Sequence, residues 1–95
     1  MAGHRQLIVI SYDISRDSLR NRVSGMLEKL GVRVQYSVFE LRLTQAAADA
    51  LFSRLDLLRD PGDSLRMYVL PEDGRKNSKS AGGAPISPAE DYFLL

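Results

Sequence analysis

Residues 32–43 read Val32-Arg33-Val34-Gln35-Tyr36-Ser37-Val38-Phe39-Glu40-Leu41-Arg42-Leu43. This stretch holds no Gly, Pro, Asn or Asp, and residues that favour extended backbone dominate it. Val32, Val34, Tyr36 and Val38 alternate; then the phase flips, and Phe39, Leu41 and Leu43 alternate instead. A flip without an intervening loop predicts a bulge or a sharp bend between two strand segments. Arg33 and Gln35 fall on the opposite phase from the first apolar set and are expected to stay in water.

Working outward, the segment upstream carries the pattern of a strand followed by a helix. Leu7-Ile8-Val9-Ile10-Ser11-Tyr12 is short, β-branched and almost continuously apolar, which reads as a buried strand with Asp13 at its carboxyl end. Leu19, Val23, Met26, Leu27 and Leu30 form one helical stripe. Ser15 or Asp17 is expected to cap that helix, and Gly31 to end it as a left-handed residue. Downstream, Thr44 is positioned to cap a second helix with Ala47, Leu51, Leu55 and Leu58 on its apolar face. Asp60-Pro61-Gly62-Asp63 ends it with turn chemistry, and Leu65, Met67 and Val69 alternate through a last strand that Pro71 closes. The order is βαββαβ, an α+β fold of the ferredoxin-like sandwich type with two helices on one face of an antiparallel sheet. Residues 1–73 are expected to form that domain. Residues 74–85, rich in Gly, Ser, Lys and Ala, read as a flexible linker. Residues 86–95 end in Tyr92-Phe93-Leu94-Leu95 and read as a docking tail that can add a strand to a partner's sheet.

Composition bounds the function classes. The 95 residues suit one domain, and a 44% apolar share with 26% charged residues is ordinary globular composition. The absence of Cys excludes a disulfide framework and a Cys-based zinc site. The apolar run Leu7–Ile10 is far shorter than the ~20 residues of a membrane span, and no signal-like start is visible. The expectation is a soluble, cytoplasmic protein. Net charge is only +1, yet residues 1–45 hold seven Arg or Lys against four Asp or Glu, while residues 46–95 hold six against eight. Ten of the thirteen cations are Arg, which favours forked contacts to phosphate or carboxylate.

Motifs for nucleophilic catalysis are lacking. His4 is the single His, and there is no phosphate-binding glycine loop, dinucleotide fingerprint or calcium loop. Asp13 is the informative residue: a carboxylate ending a buried strand, beside a helix amino terminus, acts either as a turn cap or as a functional group. Arg16 and Arg20 share a helix face, Arg22 lies roughly 160–200° away from them, and Arg16, Arg20 and Arg33 are candidates for phosphate binding.

Three runs together carry a resemblance. Tyr12-Asp13-Ile14 after the apolar strand, Leu19-Arg20-Asn21-Arg22-Val23 on the helix, and Arg33-Val34-Gln35-Tyr36-Ser37-Val38-Phe39-Glu40, followed by a helix and Arg66-Met67-Tyr68-Val69-Leu70, closely resemble the family of CRISPR-associated protein two. The resemblance spans roughly residues 7–72. It implies a ferredoxin-like homodimer acting in spacer acquisition, partnered with the CRISPR integrase (CRISPR-associated protein one). It further implies a metal-dependent endonuclease, using Mg2+ or Mn2+, that hydrolyses single-stranded RNA or double-stranded DNA. Asp13 matches the catalytic and metal-binding position, and Tyr12, Arg20, Arg22, Arg33, Ser37 and Phe39 match positions tied to activity or nucleic-acid contact. If two Asp13 carboxylates approach to ~5 Å across a two-fold axis, their repulsion is about 3 kcal/mol at an effective dielectric near 20, which a divalent ion relieves. The alternatives are a non-catalytic DNA-binding scaffold bridging the integrase, and an unrelated ferredoxin-like protein, either a small-ligand sensor or a toxin-type ribonuclease.

Overall fold

The computed structural model describes residues 3–86. Its elements run β1 (Gln6–Asp13), α1 (Asp17–Glu28), β2 (Gly31–Gln35), β3 (Val38–Leu43), α2 (Gln45–Leu58), β4 (Ser64–Leu70) and α3 (Glu72–Asn77). The four strands form one sheet in the order β2-β3-β1-β4, with every neighbouring pair antiparallel. This is the expected ferredoxin-like sandwich, in which β1 and β4 lie side by side and β3 separates β1 from β2.

Register assigns each residue to a face. Ile8, Ile10 and Tyr12 stand opposite Leu41, Phe39, Val69, Met67 and Leu65 on the neighbouring strands. These residues join Leu19, Val23 and Leu27 of α1 and Ala48, Leu51 and Leu55 of α2 in a single core. Phe39, Ile8, Ile10 and Leu27 are wholly buried. The opposite face carries Leu7, Val9, Ser11 and Asp13 from β1, with Val38, Glu40, Arg42, Arg66, Tyr68 and Val32 paired beside them. Neither long helix covers this face. α3 touches β1 and β4, and Leu7, outside the main core yet only 1% exposed, is buried on this side.

Several local expectations are corrected by packing. The N-cap of α1 is Arg16, without a side-chain cap, rather than Ser15 or Asp17. α1 ends through right-handed backbone at Lys29, and Gly31 has no positive φ. Gly31 instead opens β2, where a Cβ would lie 2.2 Å from the backbone oxygen of Glu40. Its missing side chain is what lets β2 approach β3. The phase flip in residues 32–43 resolves into a two-residue turn at Tyr36-Ser37 plus a register shift between Arg33 and Gln35. Arg33 and Gln35 are exposed as expected, but so is Val32, at 50%, because its phase faces the uncovered side. Leu30 lies beyond the end of α1 and is 47% exposed.

In α2, Thr44 caps as expected, accepting from the Ala47 N–H at 3.2 Å, but the buried stripe begins at Ala48 and Ala47 is exposed. The segment from residue 74, expected as a linker, begins inside α3. Residues 78–86 after it form no helix or strand, and Gly82 and Gly83 adopt positive φ. The tail Tyr92–Leu95 lies outside the described residues.

Gly31→Ala should therefore be costly, because the obstructing atom is strand backbone that cannot rotate away. A loss of about 3 kcal/mol, the upper end for overpacking, is expected in urea unfolding.

Candidate nucleic-acid interface and catalytic site

The candidate site lies where β1 and β2 end and β3 and β4 begin. Asp13 is the last residue of β1, paired in register with Ser64 of β4. Its phase places it on the uncovered face with Val9 and Ser11. It is exposed, and among the described residues its carboxylate has no hydrogen-bond or ion-pair partner. A carboxylate at a strand end with no cationic partner among the described residues is available to an incoming cation. No group of three or more His, Cys, Asp or Glu able to hold a metal occurs among the described residues. A lone carboxylate such as Asp13 fits only an ion that keeps several of its waters, as Mg2+ does.

Two contacts hold the chain just beyond Asp13. The Ser15 N–H donates to Asp63 Oδ1 at 3.2 Å, and Arg20 Nη1 donates to the carbonyls of Ile14 at 3.0 Å and Ser15 at 3.3 Å. Asp63, only 8% exposed, also accepts from the Asp60 N–H through Oδ2 at 3.0 Å. The buried carboxylate thereby ties the α2–β4 turn to the β1–α1 loop. Sequence reading took Asp63 as a turn residue; its second partner lies 48 positions away, where local pattern carries no signal.

The predicted residues do not all gather. Tyr12, Phe39, Arg33 and Ser37 do: the Tyr12 N–H donates to the Ser37 carbonyl at 3.1 Å, and Tyr12 and Phe39 stack with centroids 6.4 Å apart. The Arg33 guanidinium lies 5.2 Å from the Phe39 centroid and 6.0 Å from that of Tyr36, and it pairs with Glu28 at 3.4 Å. Arg20 reaches the same cluster, but its second nitrogen is engaged by Asp17. That hydrogen bond raises its pKa above the ordinary value, with smaller contributions from Tyr36. Arg16 points elsewhere and grips both carboxylate oxygens of Asp60, Nε donating to Oδ2 at 3.1 Å and Nη2 to Oδ1. Arg22 is exposed and has no ion-pair partner among the described residues. Burial pushes the Tyr12 phenol above its usual pKa, against the opposing pull of Arg33. Tyr12 therefore stays protonated at neutral pH and cannot act as a base there. Tyr36, 68% exposed beside Arg33, was not singled out by sequence reading.

The family model for CRISPR-associated protein Cas2 matches residues 6–78, which includes every strand and both long helices. The chain belongs to the Cas2 family. A relative from Methanospirillum hungatei, named a CRISPR-associated endoribonuclease Cas2, is 40% identical over 93% of this chain and 97% of its own. A Thermus thermophilus protein of the same name is 35% identical over 88% of this chain and 90% of its own. Among solved structures, Streptococcus pyogenes Cas2 superposes with a TM-score of 0.67 at 27% identity, covering 80% of this chain and 99% of that one. A chain from a partial Cas6-RT-Cas1–Cas2 complex gives 0.69 at 30% identity, covering 87% and 98%. Among the described residues, no helix is long and apolar enough to cross a membrane.

Removing the Asp63 carboxylate leaves two backbone N–H groups without their acceptor. Asp63→Ala should lose about 2–4 kcal/mol of stability, and Asp63→Asn, which keeps one acceptor oxygen, roughly half of that. Chemical denaturation of the three proteins side by side checks this.

Proposed function

We propose that this Cas2-family chain works in CRISPR adaptation, in the cytoplasm, as a homodimeric metal-dependent endonuclease acting on RNA or duplex DNA, in partnership with the Cas1 integrase. The observation that carries the reading is Asp13: a solvent-facing carboxylate with no partner among the described residues, ending a central strand on the face of the sheet that the long helices leave uncovered. Curated relatives named as endoribonucleases, and a solved neighbour from a complex that contains Cas1, support it.

The uncovered face supports the dimer. Val9, Val38, Val32 and Tyr68 leave apolar surface there, with Val32 50% and Tyr68 49% exposed. A second copy packed face to face about a two-fold axis covers that surface. Asp13 shares the face at the end of β1, so a two-fold axis passing beside that end of the strand turns the two Asp13 carboxylates toward one site. In this reading Asp13 and the partner's Asp13 hold Mg2+ or Mn2+. Such an ion, when bound, lowers the pKa of a coordinated water and stabilises charge developing on phosphate. The chain itself supplies the rest. Arg20 and Asp63 fix the loop after Asp13, while Arg33, with Arg22 exposed on α1, offers positive charge to the nucleic-acid backbone. Arg16 is bound into the Asp60 pair and contributes chiefly to the loop.

Asp13→Asn keeps the size of the side chain and removes its charge, so folding and dimerisation should survive. Cleavage of RNA or duplex DNA in Mg2+ or Mn2+ should fall by about two orders of magnitude or more, the scale of removing a group that acts on transition-state charge. Undiminished cleavage by pure Asp13→Asn protein overturns the catalytic assignment. A parent that cleaves neither substrate with either ion is a non-catalytic scaffold instead.

Val9→Lys places a charge in the middle of the proposed dimer face, between Glu40 of β3 and Tyr68 of β4. The fold should persist while the particle sediments as a monomer; an unchanged dimer in analytical ultracentrifugation would place the interface elsewhere.

A further inference from the structure

Tyr36 is used by neither the core nor the catalytic reading, and its setting is unusual for a large aromatic. It occupies the β2–β3 turn with 68% of its surface exposed. A tyrosine placed for packing buries most of its ring, and here the core aromatics Tyr12 and Phe39 already do so, at 5% and 0% exposure. One side of the Tyr36 ring meets the Arg33 guanidinium, 6.0 Å from the centroid. That same guanidinium is braced from behind by Phe39, at 5.2 Å, and by Glu28. Ser37, the next residue, accepts the hydrogen bond of the Tyr12 N–H, so the turn is tied to the residue that precedes Asp13. The ring is therefore exposed, set against a cation, and carried on a turn hydrogen-bonded to the backbone of Tyr12, the residue before Asp13.

We propose that Tyr36 is a stacking platform for an unpaired nucleobase, and that it selects single-stranded over duplex nucleic acid at this site. The inference rests on the nucleic-acid reading above and deepens it by naming the substrate feature recognised. An aromatic ring beside an arginine offers a base a π-face and its phosphate a cation, and such stacking tolerates any base. A duplex keeps its bases paired and stacked internally, so it presents phosphate to Arg33 but no free face to Tyr36. Stacking involves no ion release, so the salt dependence of binding belongs to the arginines and not to this ring.

The test compares the full-length parent with Tyr36→Ala and Tyr36→Phe. Each is titrated with a single-stranded RNA, the DNA of the same sequence, and the corresponding duplex, at two salt concentrations. A 2-aminopurine in the single strands reports stacking through its quenching. Tyr36→Ala should weaken single-strand binding by on the order of tenfold or more, lose the quenching, and keep both the parental duplex affinity and the parental salt slope. Tyr36→Phe, which keeps the ring, should behave as the parent. Equal weakening on RNA and DNA assigns recognition to the base alone; weakening confined to RNA adds a contact to the ribose. Single-strand affinity unchanged in Tyr36→Ala overturns the platform while leaving the nucleic-acid reading intact. A fall that is equal on single strand and duplex, or a changed sedimentation coefficient for Tyr36→Ala, overturns it by showing a general or interface role. A parent that binds duplex but no single strand overturns the platform alone, and one that binds neither overturns both readings together.

Discussion

The double pairing of β1 is the constraint on which the remaining features depend. This strand is hydrogen-bonded to β3 on one side and β4 on the other, along nearly its whole length. Ile8, Ile10 and Tyr12 are sealed beneath the helices as a result. A strand held on both edges and buried on one face cannot slip by one residue without turning that apolar set into water. Asp13 inherits this fixity. Its phase is set by the strand and its backbone position by the register with Ser64, so the point from which the carboxylate projects is fixed.

The loops at this end of the sheet extend the same fixity by polar means. Backbone N–H groups of the β1–α1 loop and the α2–β4 turn converge on the two oxygens of Asp63. Arg16 clasps Asp60 across the same gap, and Arg20 grips two carbonyls of the loop. Two arginines at this end of the sheet are thus spent chiefly on holding the protein together. Arg33 is differently placed, resting on the faces of Phe39 and Tyr36 and held only by a looser pair with Glu28 at 3.4 Å. An arginine's presence near a site and its freedom to bind phosphate are separate properties, and only the partners distinguish them.

One-sided helix cover explains the rest of the surface. With α1 and α2 on the same face, the sheet keeps an open side whose only cover among the described residues is α3, near Leu7. Val9, Val32 and Tyr68 remain on that side, together with Asp13. In a chain of 95 residues, where burial is already modest, leaving apolar sheet surface uncovered is costly unless another molecule covers it. The dimer reading and the shared-carboxylate reading therefore draw on the same geometric fact.

Sequence alone determined the order of the first six elements, the fold class, the Thr44 cap and Asp13 as the terminal residue of a buried strand, because these depend on short-range periodicity and capping chemistry; α3, which begins where the sequence suggested only a linker, it did not. The three family runs also marked Tyr12, Arg33, Ser37 and Phe39, which the fold does gather. Tertiary structure alone decided which face of β2 is wet, since the phase of Val32 and Val34 shows alternation but not which side the helices take. It also decided that Gly31 serves close strand approach rather than a helix terminus, because the obstructing Glu40 oxygen belongs to another strand. The roles of Asp63, Arg16 and Tyr36 were equally invisible in one dimension. Each depends on partners set by through-space distance, and local sequence pattern records only neighbours along the chain.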